Sequence, residues 1–178
     1  MRKRLTAIAL TVVLAAAQPV CTYAANSPGT GPVIGGDAQT NSRGQSVIGD
    51  TALEILKDAG TAVAGLPESV VASINGINSG QPLNEAVPGV DLTGYNVLVG
   101  TQAIVTKSAA DNTEKTGVVE VPLYIPNLAE GLGVVQVLFY NNFTGTWTVI
   151  QPARMDVAAK TLWFNIPNSG TVSVIYKR

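Results

Sequence analysis

The chain has 178 residues, of which 13% are charged, and its formal net charge is −1. It contains no histidine and a single cysteine, Cys21. These absences exclude His/Cys zinc sites, Ser-His and Cys-His nucleophile pairs, c-type haem, iron–sulfur clusters and internal disulfides.

Residues 1–24 have the layout of a secretory signal peptide: a basic start, an apolar run, and small residues before a cut after Ala24. The apolar run is shorter than the roughly 20 residues that a membrane-spanning helix needs. A lipoprotein signal ending at Cys21 is an alternative, although the residues before that cysteine match such signals poorly. We therefore expect a secreted protein, extracellular or held at the cell surface, with no membrane span.

The charge that remains after removal of this leader bears on the partners. The loss of Arg2, Lys3 and Arg4 leaves 8 basic and 12 acidic residues, a net charge of −4. Nucleic acids and anionic membranes attract basic surfaces, so neither is expected as a partner. We expect an extracellular protein or a glycan instead, and self-association is a further alternative.

Three segments are predicted after the leader cut. Residues 25–49 are rich in Asn, Ser, Gly and Pro and predict a flexible arm, with an edge strand around Pro32–Ile34 as the alternative. Residues 50–178 are predicted to form a helical segment followed by a β domain. A capping box formed by Thr51 and Glu54 predicts a first helix there, and Pro67 predicts the start of a second. Such short amphipathic helices must pack on the strands.

After Gly94 the apolar period changes from helical to alternating, with turn residues between the runs. Gly100 indicates a bulge or kink in the first predicted strand, and Pro122 indicates an edge or a bulge in the second. The third strand is strongly apolar and is expected to be central. The pattern predicts a mainly β protein, an antiparallel β-sandwich or open barrel with a short helical N-terminal segment. The predicted strands are 95–107, 117–125, 133–140, 146–151, 160–166 and 171–176.

Three runs in the last 60 or so residues carry a resemblance: Val135–Tyr140, Thr144–Val149 and Val172–Ile175. In them a strand ending in Tyr is followed by Gly-Thr-Trp and a second strand, and then by a closing strand. This resembles the C-terminal β domain of small secreted proteins of Gram-positive bacteria. The resemblance implies a bacterial, exported β-sandwich-like domain and carries no catalytic residue with it.

General acid/base chemistry is left to the 12 carboxylates, which are scattered along the chain. Glu54 and Asp58 are four residues apart, but Lys57 beside them indicates a solvated face, and a glycosidase needs two carboxylates across a cleft. A serine nucleophile without histidine needs a lysine base, which Ser69 and Ser73 lack at a useful spacing. No catalytic residue is predicted, and the protein is expected not to be an enzyme.

Metal binding has one candidate loop. Asp111, Asn112 and Glu114 could offer three oxygens to Ca²⁺, but turn formation explains an Asp-Asn pair equally well. We predict no metal site and no cofactor.

Aromatic side chains are the remaining candidates for ligand binding. Strand alternation places Trp147 in the core and Trp163 outward, where an indole either stacks on a sugar or packs under a helix or the arm. Phe143 belongs to a predicted hairpin tip with Asn141 and Asn142. The candidate ligand-binding residues are Trp163, Tyr140, Phe143 and Trp147.

These observations predict an exported, non-enzymatic bacterial protein that acts in extracellular or cell-surface interaction, such as adhesion. One alternative is a carbohydrate-binding module. The other is a self-assembling surface subunit whose arm, residues 25–49, adds a strand to a neighbouring molecule.

Overall fold

A computed structural model describes residues 32–36, 38–56 and 58–178. The predicted leader, residues 1–24, and the beginning of the predicted arm, residues 25–31, lie outside the described residues. Within these ranges no helix is both long and apolar enough to cross a membrane.

The described residues form eleven strands and three helices. The helices are α1 (Ala59–Val63), α2 (Glu68–Ser79) and α3 (Leu83–Ala86). The strands are β1 (Val33–Ile34), β2 (Gln39–Thr40), β3 (Ser46–Ile48), β4 (Thr51–Leu56), β5 (Asn96–Ser108), β6 (Val119–Tyr124), β7 (Val134–Asn141), β8 (Thr146–Ile150), β9 (Arg154–Asp156), β10 (Thr161–Ile166) and β11 (Gly170–Lys177).

The strands form two antiparallel sheets, which confirms the predicted fold class. The smaller sheet has the order β1-β6-β10-β9, and the larger has the order β2-β3-β4-β5-β11-β7-β8. The predicted central strand, β7, lies between β11 and β8.

The main apolar core lies between the two sheets. Strands place alternate side chains on opposite faces, so Phe139 of β7 and Phe164 of β10 both point into this core, where they are almost fully buried. Leu123 of β6 packs in the same cluster. The alternating pattern of the sequence therefore encodes the sandwich directly.

The helices cover the outer face of the larger sheet, as predicted from their amphipathic pattern. Ile77 of α2 and Leu83 of α3 pack against Leu138 of β7 and Ile175 of β11. Because β7 is covered on both faces, its sequence is almost continuously apolar rather than alternating. The described part of the chain thus has three layers: the smaller sheet, the larger sheet and the helices.

The first predicted helix is wrong: the capping-box segment is strand β4, which pairs with β5 from Thr51↔Ser108 to Leu56↔Ala103. The segment Thr51–Leu56 is short enough to fit the apolar period of a helix or that of a strand. Its pairing with β5, which is distant in the sequence, favours the strand. The helix begins later, at α1, where the Asp58 carboxylate accepts a hydrogen bond from Thr61 N at 2.7 Å.

The predicted flexible arm also differs from the structure, which pairs much of it. Val33 and Ile34 of β1 lie opposite Tyr124 and Leu123 of β6, while β2 and β3 extend the edge of the larger sheet beside β4. The alternative of an edge strand around Pro32–Ile34 is confirmed. A polar, glycine-rich composition does not prevent pairing when a neighbouring sheet edge supplies the hydrogen bonds.

Two local predictions are confirmed. Helix α2 follows Pro67 and ends at Gly80, whose φ is 82°. Strand β5 bulges at Gly100 and Thr101, because two β5 residues oppose Ser173 there.

The predicted edge or bulge at Pro122 is wrong. Strand β6 lies between β1 and β10, and it pairs with β10 from Val119 to Tyr124 without a register shift. The Pro122 carbonyl accepts a hydrogen bond from Gly35 N at 2.8 Å, so the proline directs its missing N–H to the β1 side. The β1 ladder ends just before this point, at Ile34 opposite Leu123, so the proline is tolerated there.

Candidate functional site

The four aromatic candidates lie in three separate places in the structure, and only Tyr140 and Trp147 are neighbours. Tyr140 is 3% exposed, and its ring centroid lies 5.2 Å from that of Trp147. Both rings pack under α2 beside Val70 and Ile74. Trp147 is half-buried under the helices, so the expected placement in the core between the sheets is wrong. This pair forms no exposed platform for a ligand.

Phe143 lies alone at the tip of the β7–β8 hairpin and is 85% exposed. The tip is held by one side chain: Asn141 Oδ1 accepts hydrogen bonds from Phe143 N at 2.9 Å and Thr144 N at 3.1 Å. Asn168 Nδ2 donates to the same oxygen at 3.0 Å. The hairpin therefore presents the phenyl ring on a well-braced turn.

Trp163 points outward from β10, as predicted, and lines a cleft of about 390 Å³. The cleft lies between the outer face of the smaller sheet and the segment that carries β2 and β3. A cleft of this size is in the range of small-molecule sites. Its described lining residues are Ala38, Gln39, Val47, Ile48, Gly49, Glu120, Pro122, Arg154 and Trp163.

Strand register places three of these side chains in one row. Trp163 lies opposite Pro122 of β6 on one side and Arg154 of β9 on the other. The guanidinium carbon of Arg154 is 3.8 Å from the Trp163 ring centroid, a cation–π distance. Glu120 follows on β6, two residues before Pro122. One indole face is thus covered by a cation, which removes it as a flat stacking surface.

The arm segment crosses close to this row, and a glycine allows it. Gly36 has φ +66°, and a Cβ atom there would lie 3.0 Å from Pro122 Cβ and 3.7 Å from Trp163 Nε1. The Nε1 edge of the Trp163 ring therefore lies beside the arm, while the ring still lines the cleft. The Gly35-Gly36 pair belongs to the predicted flexible arm, residues 25–49, and in the structure it allows this close approach.

The chemistry of the cleft is polar with one apolar wall. Arg154 offers guanidinium donors, Trp163 one indole N–H, Gln39 an amide and Glu120 carboxylate acceptors. Arg154 and Glu120 carry opposite charges, so the described lining does not select strongly for one sign of ligand. Sequence analysis identified Trp163 and missed Arg154, Glu120 and Gln39, which come from separate strands.

The candidate calcium turn uses its oxygen atoms internally. Asp111 Oδ1 accepts from Thr113 N at 3.2 Å and from Thr113 Oγ1 at 2.8 Å. Hydrogen bonds from Ser108 and Thr113 hold the pKa of Asp111 below its ordinary value. Asn112, at φ 62°, accepts from Gln45 Nε2 at 3.0 Å. Among the residues described, no three metal-ligating side chains cluster.

Comparison with known proteins adds no family to this geometry. No protein-family model, no curated protein and no solved structure matches the chain.

Proposed function

We propose that this is an exported, non-enzymatic binding protein of the bacterial cell exterior that takes a saccharide in the cleft beside Trp163. The observation that carries the proposal is the cleft itself, which joins an indole, a guanidinium, a carboxylate and an amide around about 390 Å³. Its role would be extracellular or cell-surface interaction, such as adhesion to a glycan.

The lining supports a saccharide on chemical grounds. Sugar rings combine apolar C–H faces with hydroxyl groups that both donate and accept hydrogen bonds. Trp163 and Pro122 supply an apolar wall, while Arg154 donates and Glu120 accepts. The cleft suits one or two rings, or the end of a longer chain. It does not suit a flat crystalline polysaccharide, because Arg154 covers one face of the indole.

Export is supported by the sequence of residues 1–24 and by the low charge of the whole chain. A weakly charged surface rich in Thr, Ser and Asn is typical of polar, wet contacts with glycans. The chain also lacks histidine, the side chain that most often provides acid/base catalysis near neutral pH.

The alternative of assembly through the arm receives less support. The arm residues in β1, β2 and β3 already pair within their own chain. Deletion of residues 25–49 would strip an edge strand from both sheets, so a change in association after that deletion would not identify the arm as a polymerising strand.

Tryptophan fluorescence tests the proposal, because the chain has two tryptophans. The variant Trp147→Phe leaves Trp163 as the sole reporter, at the cleft. We expect its emission to respond saturably to at least one member of a panel of neutral and acidic oligosaccharides. The matched variant Trp163→Phe retains only Trp147, under the helices, and should not respond.

A glycan array with the unmodified protein provides a second test of the proposal. Signals on the array should disappear in Trp163→Ala and weaken in Glu120→Gln, while Phe143→Ala, at the hairpin tip, should retain them. An array without signals, or signals that Trp163→Ala leaves unchanged, would overturn the proposal.

A further inference from the structure

The described residues form four sheet edges, and three of these are protected against pairing with another molecule. Strands β1 and β2 have two residues each, and β9 has three, of which Arg154 and Asp156 are charged. Short edge strands and charged side chains are the devices by which proteins prevent edge-to-edge pairing. The fourth edge, β8, has five residues without charge or proline. Among the described strands, β8 pairs only with β7.

The backbone of β8 presents hydrogen-bonding groups at this edge. Gly145 N donates to Asn141 O at 2.8 Å, so the Asn141 carbonyl faces β8. Asn141 lies opposite Thr146. Along a strand, every second residue directs its N–H and C=O groups to one neighbouring strand, and the residues between them direct theirs to the opposite side. Thr146 therefore directs its backbone groups back to β7, whereas Trp147 and Val149 direct theirs away from the sheet.

We propose that β8 pairs with β8 of a second copy of this chain, antiparallel, about a two-fold axis at Thr148. In this register Trp147 lies opposite Val149 of the second copy, and each such pair exchanges two backbone hydrogen bonds. The side chains of both residues lie on the helix-covered face. An aromatic residue opposite a β-branched one is a favourable cross-strand pair.

The absence of charge near β8 favours a second copy of this chain as the partner. No charged residue occurs between Glu130 and Arg154, so two copies of the β7–β8 hairpin meet without like-charge repulsion. Isologous pairing of this kind closes after two copies and does not propagate.

Disulfide trapping tests the register. Cys21 is the only cysteine, so Cys21→Ser removes it whether or not the leader has been cut. In that background, Thr148→Cys places two thiols opposite each other, at a pair that exchanges no backbone hydrogen bonds and has closely spaced Cβ atoms. The matched control is Met155→Cys on the β9 edge, where the side chain is 44% exposed. We expect a covalent dimer from Thr148→Cys and a monomer from Met155→Cys.

Analytical ultracentrifugation of the unmodified protein provides an independent test of the proposal. The average mass should rise with concentration towards that of a dimer. Thr148→Lys, which sets two like charges opposite each other at an exposed position, should remain a monomer with an unchanged circular dichroism spectrum. The proposal is overturned by a wild-type protein that stays monomeric, by equal cross-linking of both cysteine variants, or by a dimer that Thr148→Lys leaves intact.

Discussion

The guanidinium of Arg154 stacks on the ring of Trp163, with 3.8 Å between the guanidinium carbon and the ring centroid. The two residues are direct neighbours on β9 and β10. A cation–π contact at an exposed position contributes about 0.5–1 kcal/mol. We therefore expect Arg154→Ala to lower the free energy of unfolding by about that amount and to open the indole to solvent.

Acrylamide quenching in the Trp147→Phe background measures the second effect, since only Trp163 then emits. The quenching constant should rise in Arg154→Ala. Arg43→Ala is the control, because Arg43 is exposed in the β2–β3 turn. An unchanged quenching constant in Arg154→Ala would show that the cation does not cover the ring in solution.

Asn78 joins helix α2 to the bulge in β5. Its Oδ1 accepts from Thr101 N at 2.9 Å and from Thr101 Oγ1 at 2.8 Å. Thr101 is buried, so Asn78→Ala leaves its N–H without this partner, at a cost of about 1–3 kcal/mol in the free energy of unfolding. Urea denaturation measures this loss. Asn75→Ala, at an exposed position on the same helix, should change stability little. Equal losses in both variants would show that the hydrogen bonds between Asn78 and Thr101 do not stabilise the fold.

The same position of the Asn78 side chain explains why residue 100 is a glycine. A Cβ atom on Gly100 would lie 2.8 Å from Asn78 Oδ1. The sequence predicted a bulge or kink at Gly100 but gave no sign of Asn78, which is 22 residues away on a helix. Local pattern thus located the irregularity, while tertiary packing supplied its cause.

The β domain was predictable because its apolar residues alternate along each strand and turn-forming residues separate the strands. Leu162, Phe164 and Ile166 alternate in sequence and all enter the core between the sheets. The strand β4 was not predictable in the same way, because Thr51–Leu56 is short enough to fit a helix or a strand. Its pairing with β5, some fifty residues later in the chain, decides the matter.

The candidate site was predictable only in its central residue. Alternation placed Trp163 on the outer face, whereas its neighbours depend on which strands lie beside β10. Those strands are β6 and β9, which bring Pro122 and Arg154 to the indole. Strand order is a long-range property, so a pattern within one strand cannot identify such a site.

Gly170 begins β11 between Ile104 of β5 and Asn141 of β7. A Cβ atom there would overlap the ring of Phe139 and the carbonyl oxygen of Tyr140, both of which are buried. Overpacking of this kind costs about 1–3 kcal/mol or more. Gly170→Ala should therefore lower the urea midpoint strongly or prevent folding.

Gly60→Ala is the matched control for this substitution. Gly60 is exposed in α1, and its nearest neighbour to an added Cβ atom is Asp58 Oδ1 at 3.5 Å, an ordinary contact. Because alanine favours helix over glycine, this variant should gain up to about 1 kcal/mol. A Gly170→Ala protein as stable as wild type would contradict the close packing at the start of β11.

Acid should destabilise the fold through its exposed aspartates. The side-chain contact with Lys115 holds the pKa of Asp50 below its ordinary value, hydrogen bonds from Thr61 do so for Asp58, and those from Thr93 for Asp91. A carboxyl whose pKa is lower in the folded state contributes stability above its unfolded pKa. That contribution is lost as the pH falls through the folded value. The melting temperature should therefore be steady near neutral pH and decline below about pH 4.

Asparagine variants separate these contributions. Asp58→Asn keeps an oxygen that can cap α1 but no longer titrates, so its melting temperature should decline less steeply in acid than that of the wild type. For Asp50 the cause is the ion pair with Lys115, so Lys115→Met should likewise weaken the acid dependence. High salt should reduce the effect of Lys115→Met and leave that of Asp58→Asn, because salt screens charge pairs more than short hydrogen bonds. A wild-type melting temperature that stays constant from neutral pH to pH values well below 4 would contradict the lowered pKa values.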